Sequence, residues 1–170
     1  AALAVDSELL VRGEETPVPQ MIARLGEHGA DALTAPRDAV LPSQLGGDGV
    51  LVAMGNNRIR QLKLIELQAA GARLFNLIHP ASYVSRHACL GIGSVVFAGA
   101  VVNADSQIGQ GAILNTGCSV DHDCMLGDAV HISPGARLAG GVRVGDLSWI
   151  GIGASVRQLV CIGSRVMVGA

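Results

Sequence analysis

A left-handed parallel β-helix over residues 78–170, preceded by a small, incomplete α/β Rossmann-like domain over 1–77, is the fold class this sequence predicts. Three observations carry it. Every sixth residue from Ile78 through Val84, Leu90, Val96 and on to Ile162 and Val168 is Ile, Leu or Val, without a gap. Four residues after each stands a second series, Ser82, Ala88, Ser94, Ala100, Ser106, Ala112, Cys118, Cys124 and onward to Val166, which nothing bulkier than Val enters. Residues before 78 obey neither series. With 49% of the chain apolar, and Ile, Leu and Val only part of that, an unbroken register of this length is not chance.

A period of six is neither the 3.6 of a helix nor the 2 of a strand, so it points to a repeat architecture. Six residues make one short strand and one turn. Three such units close a triangular coil, and residues eighteen apart then stack at the ~4.8 Å spacing of paired strands. The aliphatic fills the interior, and the smaller residue fits the narrow space beside it. The position after the aliphatic is rich in Gly, Asn and Asp (Gly91, Asn103, Gly109, Asn115, Asp121, Gly127, Gly145, Gly151, Gly163), which we read as a demand for tight-turn geometry. Residues 78 to 168 make five coils, each burying its apolar face only against the next.

In chain order, the first element expected is a helix over Val18–His28, begun by Pro17 and Pro19 and ended by Gly29. A loop holding Pro36, Pro42 and Gly46-Gly47 follows. Gly49–Gly55, GVLVAMG, reads as a buried parallel strand. After Asn56 and Asn57, the stretch Arg58–Ala70 is helical, with Ile59, Leu62, Ile65, Leu67 and Ala69 on or near one side. Gly71 stops it, and Arg73–Ile78 makes a second strand, completing a βαβ unit. A nucleotide-binding α/β domain opens on a strand and a Gly-rich turn at a helix N-terminus, and no such turn precedes residue 40. The chain starts abruptly at Ala1-Ala2-Leu3 and stops at Gly169-Ala170 within a coil, so both ends read as cut and 1–77 as the second half of a larger domain.

Composition narrows the partners. A net charge of -2 with 15% charged residues gives no basic footprint for nucleic acid, and 2% aromatics leaves no stacking platform for single strands. Neither an apolar run near ~18 residues nor a signal-peptide pattern is present, so a soluble cytoplasmic protein off the membrane is expected. Cys89, Cys118, Cys124 and Cys161 lack the paired spacing of a metal or disulfide motif and read as reduced thiols.

Chemistry then falls to the polar interruptions of the coils. The densest is NTGCSVDHDC, Asn115–Cys124, where Asp121, His122 and Asp123 share a corner. A neutral imidazole with a pKa near ~6.5 is the natural base for an amine or hydroxyl nucleophile. A carboxylate on its other nitrogen fixes the tautomer and raises basicity. A plain polar turn with a solvated His is the alternative. His131 lies nine residues on, half a coil away, so the two imidazoles cannot stack on one face of one subunit but can meet across a subunit boundary. His79 reads as structural at the start of the first coil, and His28 and His87 as solitary and exposed.

The segments VAMGNNRIR, NLIHPASYVS, VVNADSQIGQGAILNTGCSVDHD and VHISPG together resemble the hexapeptide-repeat sugar acetyltransferases of the sialic acid O-acetyltransferase and bacillosamine N-acetyltransferase type, from about Val50 to Ala170. That resemblance implies acetyl-CoA as cosubstrate with no metal, a homotrimer with its active site between neighbouring helices, and a nucleotide-sugar acceptor. It implies His122 as general base tuned by Asp123, where the N-acetyltransferases usually carry the longer glutamate. It places His131, Gly140 and Ile152 along the coenzyme A channel, and Gly55, Asn56, Asn57 and Asn115 at the acceptor. Transfer to the amine of a nucleotide-linked 4-amino sugar is the activity implied, with O-acetylation of sialic acid as the alternative.

Spacing and pattern argue against other roles. An acyl-Cys route would use Cys118 or Cys124, but both sit in the series that points inward. A zinc hydratase on the same helix gathers three imidazoles from two neighbouring coils, two of them only a few residues apart and the third from the adjoining subunit, and intervals of thirty-five residues (87 to 122) and nine (122 to 131) do not converge. A non-catalytic trimeric scaffold favours regular outward ladders, whereas this chain gathers its unusual polar residues in one place.

Overall fold

Residues 50–170 are described by the computed structural model. The helix expected over Val18–His28, the loop after it and Gly49 lie outside the described residues. Sixteen strands of two residues each wind into a parallel β-solenoid. Its first sheet stacks β1 (Leu77–Ile78), β4 (Val95–Val96), β7 (Ile113–Leu114), β10 (His131–Ile132), β13 (Trp149–Ile150) and β16 (Met167–Val168). The second stacks β2 (Tyr83–Val84), β5 (Val101–Val102), β8 (Ser119–Val120), β11 (Arg137–Leu138) and β14 (Ser155–Val156). In the third are β3 (Cys89–Leu90), β6 (Gln107–Ile108), β9 (Met125–Leu126), β12 (Arg143–Val144) and β15 (Cys161–Ile162). Partners are eighteen residues apart throughout, as in Leu77↔Val95 and His131↔Trp149.

Each aliphatic of the six-residue series is the second residue of its strand. In the middle coils these side chains form one continuous core: Val102, Leu114, Val120, Ile132, Leu138 and Ile150 are at most 1% exposed. Ala100, Ala112, Cys118, Cys124, Val130, Ala136 and Val142, all at 0%, fill the space between them. Each such Leu, Ile or Val contributes roughly 1.5–3 kcal/mol by leaving water, and only because a coil lies on either side of it.

The glycines after the aliphatic serve a different purpose from the one expected. Left-handed backbone falls three residues after the aliphatic, at every sixth residue from Gly93 (φ 75) through Asp123 (φ 59) to Arg165 (φ 59). The position immediately after the aliphatic instead brings successive coils into close approach. A Cβ on Gly109 would lie 2.5 Å from the carbonyl carbon of Gly127.

The expected βαβ unit is present here as one helix and one bridge. Val50 pairs in parallel with Leu74, and Leu77–Ile78 belongs to the solenoid. Helix α1 (Asn57–Ala69) begins where the Asn56 side chain accepts from the Ile59 amide, at 3.1 Å. Its buried face differs from the expected apolar one. Asn57, Arg60, Leu64 and Leu67 are buried, while Ile59, Leu62 and Ile65 are 45–57% exposed. The cause is the surface α1 meets, a solenoid corner that presents backbone carbonyls, so the polar residues turn inward. Asn57 Nδ2 donates to the Leu147 and Ser148 carbonyls at 3.0 and 3.1 Å, and Arg60 reaches those of Gly111 and Ala129. Leu64 packs where a side chain at Gly93 would otherwise sit.

Candidate functional site

The residues singled out in the sequence fall into three groups. The first is the corner after β8, where Asp121, His122 and Asp123 turn the chain towards β9. Asp123 adopts left-handed backbone, which an Asp tolerates better than most side chains. Its Oδ2 lies 2.7 Å from His122 Nδ1. Asp121 Oδ1 accepts from the His122 amide at 2.8 Å and from Asn103 Nδ2 at 3.0 Å, so this carboxylate braces the turn from below. Those two bonds hold the Asp121 pKa below its ordinary range. With Nδ1–H donating to Asp123, Nε2 is the nitrogen left to take a proton. The hydrogen bond to Asp123, and after it the charge of Asp121, raises the imidazole pKa above 6.5. Both side chains are well exposed, at 62% and 65%. One coil on, the His122 ring rests over Gly140, where a Cβ would lie 2.7 Å from Cε1 and Nε2.

The second group is a cleft of about 440 Å³ on the first sheet, lined in part by Asn115, His131, Ser133, Trp149 and Ile152. His131 is 7% exposed and stacks on Trp149 with ring centroids 4.4 Å apart. The tautomer follows from its neighbours. Asn115 Oδ1 accepts from the Thr116 amide at 2.8 Å, which turns Asn115 Nδ2 towards His131 Nε2 at 3.1 Å. Nε2 therefore accepts, the ring proton sits on Nδ1, and Nδ1 is buried without a partner among the described residues. Burial, with the Arg60 charge adding to it, pushes the pKa down to about 4, so the ring is neutral at cellular pH. Ile152 is 65% exposed at the rim.

Gly55, Asn56 and Asn57 form the third group, at the start of α1. Gly55 and Asn56 are exposed, and a Cβ on Gly55 would meet nothing within 4 Å. Asn57 is buried against the coil that carries Trp149, and the Ser148 carbonyl it reaches also accepts the His131 amide. The third group therefore adjoins the second. His122, Asp123 and Gly140 stand at a different corner of the solenoid.

Trp149 and Arg60 are the neighbours that motif reading passed over. The signal for Trp149 was available, since eighteen residues after His131 stands the chain's one Trp. The four described cysteines are free. Cys118 is fully buried, and desolvation drives its thiol up to about 12; burial raises Cys124 as well. Neither is a thiolate at neutral pH, as a nucleophile would need to be. Among the described residues no three His, Cys, Asp or Glu side chains gather as a metal site would require, and no helix is long and apolar enough to cross a membrane.

No protein-family model matches the chain, and no curated protein matches it. Solved structures do. The acetyltransferase domain of PglB from Neisseria gonorrhoeae FA1090 is 48% identical with a TM-score of 0.72, over 78% of this chain and 63% of that one. The same domain in complex with acetyl coenzyme A is 51% identical with a TM-score of 0.71, over 72% and 60%. PerB from Caulobacter crescentus, in complex with CoA and GDP-perosamine, is 47% identical with a TM-score of 0.72, over 75% and 62%. The chain thus spans about three fifths of the length of these relatives. On its unbroken six-residue register, its parallel solenoid and this level of identity, the chain belongs to the hexapeptide-repeat acyltransferases.

Proposed function

We propose that this chain is the catalytic part of an acetyl-CoA-dependent acetyltransferase that acts in the cytoplasm on the amine of a nucleotide-linked 4-amino sugar. The observation that carries the reading is the His122–Asp123 pair, an exposed imidazole with one nitrogen tied to a carboxylate at 2.7 Å and the other open to solvent. His122 Nε2 takes a proton as the acceptor amine attacks the thioester carbonyl. Backbone amides stabilise the oxyanion. The carbon–sulfur bond then breaks, and the coenzyme A thiolate leaves with a proton from the imidazolium or from water. The relatives with acetyl-CoA, or with CoA and GDP-perosamine, support both substrates.

His131 and Ile152 belong to the coenzyme A channel on this reading, and Gly55, Asn56, Asn57 and Asn115 to the acceptor. The unpartnered Nδ1–H of His131 is the feature that favours a bound acyl group. A buried donor left unpaired costs about 1–3 kcal/mol, which a thioester carbonyl would relieve. His122 and His131 lie at different places on one solenoid, so one reaction can use both only if they come from two copies. That requirement supports a homotrimer with the site in the cleft between neighbours. Residues 50–77 fit the close of a nucleotide-sugar-binding α/β domain extending over 1–77, with the β-helix acetyltransferase domain over 78–170.

Thiol release from acetyl-CoA tests the proposal, with UDP- and GDP-linked 4-amino sugars and sialic acid offered in parallel and His122→Ala as control. Release with one nucleotide amino sugar, abolished in the variant, is the expected result. Release with sialic acid alone would move the reaction to a hydroxyl acceptor. A folded protein releasing thiol with none of them would overturn the reading.

A further inference from the structure

Arg60 is 0% exposed, and among the described residues no carboxylate pairs with it. Burying a cation without a counter-charge costs several kcal/mol unless its donors are fully used. Here all five are. Nε donates to the Gly111 carbonyl at 2.7 Å. One terminal nitrogen reaches the carbonyls of Met54 and Gly55 at 2.7 and 3.2 Å. The other reaches Asn57 Oδ1 at 2.9 Å and the Ala129 carbonyl at 2.8 Å, with Val130 at 3.5 Å. Gly111 and Ala129 sit at the corner that leads into the first sheet, and Ala129 comes two residues before His131. Met54 and Gly55 form the turn that opens α1.

We propose that Arg60 is a positioning residue: its guanidinium locks the acceptor-side turn at Met54–Gly55 into register with the coil that carries His131. This rests on the acceptor role given above to Gly55, Asn56 and Asn57. A planar fork is required because carbonyls from two different segments must be held at once, at fixed angles. A lysine, with one nitrogen and three donors, cannot span them.

The guanidinium has a second effect, electrostatic and directed at His131. Burial lowers the Arg60 pKa only to about 10, so it is charged at neutral pH. On either side of β10, β7 and β13 set Ile113 and Trp149 against His131, and Asn115 adds a neutral amide. Arg60 is the charge that acts on the imidazole, and it disfavours the protonated ring.

Two variants of the full chain separate positioning from mere support. Arg60→Lys keeps the charge and loses the fork, so the KM for the amino-sugar acceptor should rise about tenfold while that for acetyl-CoA stays within about twofold. Arg60→Met should do the same and also move the His131 titration, followed by nitrogen NMR, upward by about one pH unit. A merely structural role would lower the melting temperature and leave the acceptor KM unmoved in the folded protein. Wild-type acceptor KM in both folded variants overturns the proposal. Should Arg60→Met fail to fold, an unchanged acceptor KM in Arg60→Lys overturns it alone. If the wild type turns over no acceptor, the functional reading fails separately, and the His131 titration in Arg60→Met still decides for or against the Arg60 link.

Discussion

Replacing Gly140 with alanine should silence the site while leaving the fold intact. The added Cβ would stand 2.7 Å from His122 Cε1 and Nε2 and 3.3 Å from Nδ1. Non-bonded carbons settle near ~3.5–4.0 Å, so the ring must retreat by about 1 Å. Such a retreat stretches the 2.7 Å bond to Asp123 towards or beyond hydrogen-bonding reach. A displacement of about 1 Å in a reacting group costs up to about 100-fold in rate. Folding should hardly notice. Gly140 lies outside the left-handed region, and what its Cβ meets is an exposed side chain free to swing away. The unfolded chain loses some freedom, so stability should change by under about 1 kcal/mol, towards stabilisation. Gly163→Ala is the control, because its Cβ meets nothing nearer than 3.8 Å. The assay pairs thermal melting with kcat from thiol release. A folded Gly140→Ala protein with wild-type kcat would refute the reasoning, since the imidazole could not then be working from its place over Gly140.

Other outcomes follow from the same geometry. With His122 as the proposed base, working deprotonated and with its pKa raised above 6.5, activity should rise with pH through a midpoint above that value. Asp123→Asn removes the largest cause of the shift, so its midpoint should move to lower pH as kcat falls, and an unmoved midpoint in a pH–rate profile would contradict this. Cys118→Ala should keep full kcat while losing about 1–2 kcal/mol of stability as a small core truncation; a tenfold drop in kcat without a change in melting would point instead to an acyl-Cys. Gly109→Ala, whose Cβ meets the Gly127 backbone as well as the Asp128 side chain, should lose about 1–3 kcal/mol or more. An unchanged urea midpoint would contradict that contact.

The solenoid was legible because one rule sets every coil. Fifteen of the sixteen aliphatics, Val84 to Val168, proved to be the inward residues of their strands, since the same triangular section repeats and each interior position faces the same packing problem; Ile78, in the first strand, is 40% exposed. Where two effects leave the same trace in sequence, the reading went astray. Glycine follows from left-handed backbone or from lack of room; at Gly109 it is room, while left-handed geometry sits three residues after the aliphatic, where Asp123, Leu147 and Arg165 tolerate it. Helix α1 was misread for a related reason. Periodicity assigns the apolar stripe to the core, but Asn57 and Arg60 face backbone carbonyls of the solenoid corner, which no hydropathy pattern reveals. At the candidate site, the DHD triplet was visible because its members are adjacent in sequence. Asn103 and Trp149 come from other segments and needed the coil spacing to find them, and Arg60, on α1, lies outside any coil.

The clasp of α1 along one corner bears on how the molecule comes apart. A bare solenoid touches only nearest neighbours, so it can peel one coil at a time from either end. Here Leu64, Arg60 and Asn57 engage, in that order, the corner positions Gly93, Gly111, Ala129 and Leu147. The match is one of pitch: a helical turn climbs about 5.4 Å and a coil about 4.8 Å, so residues one turn apart meet successive coils. Four coils are thereby splinted to a single rigid rod. Loss of any one of them must first lift the rod, so backbone amides across these coils should exchange with solvent as one block, not as a gradient running inward from the tips.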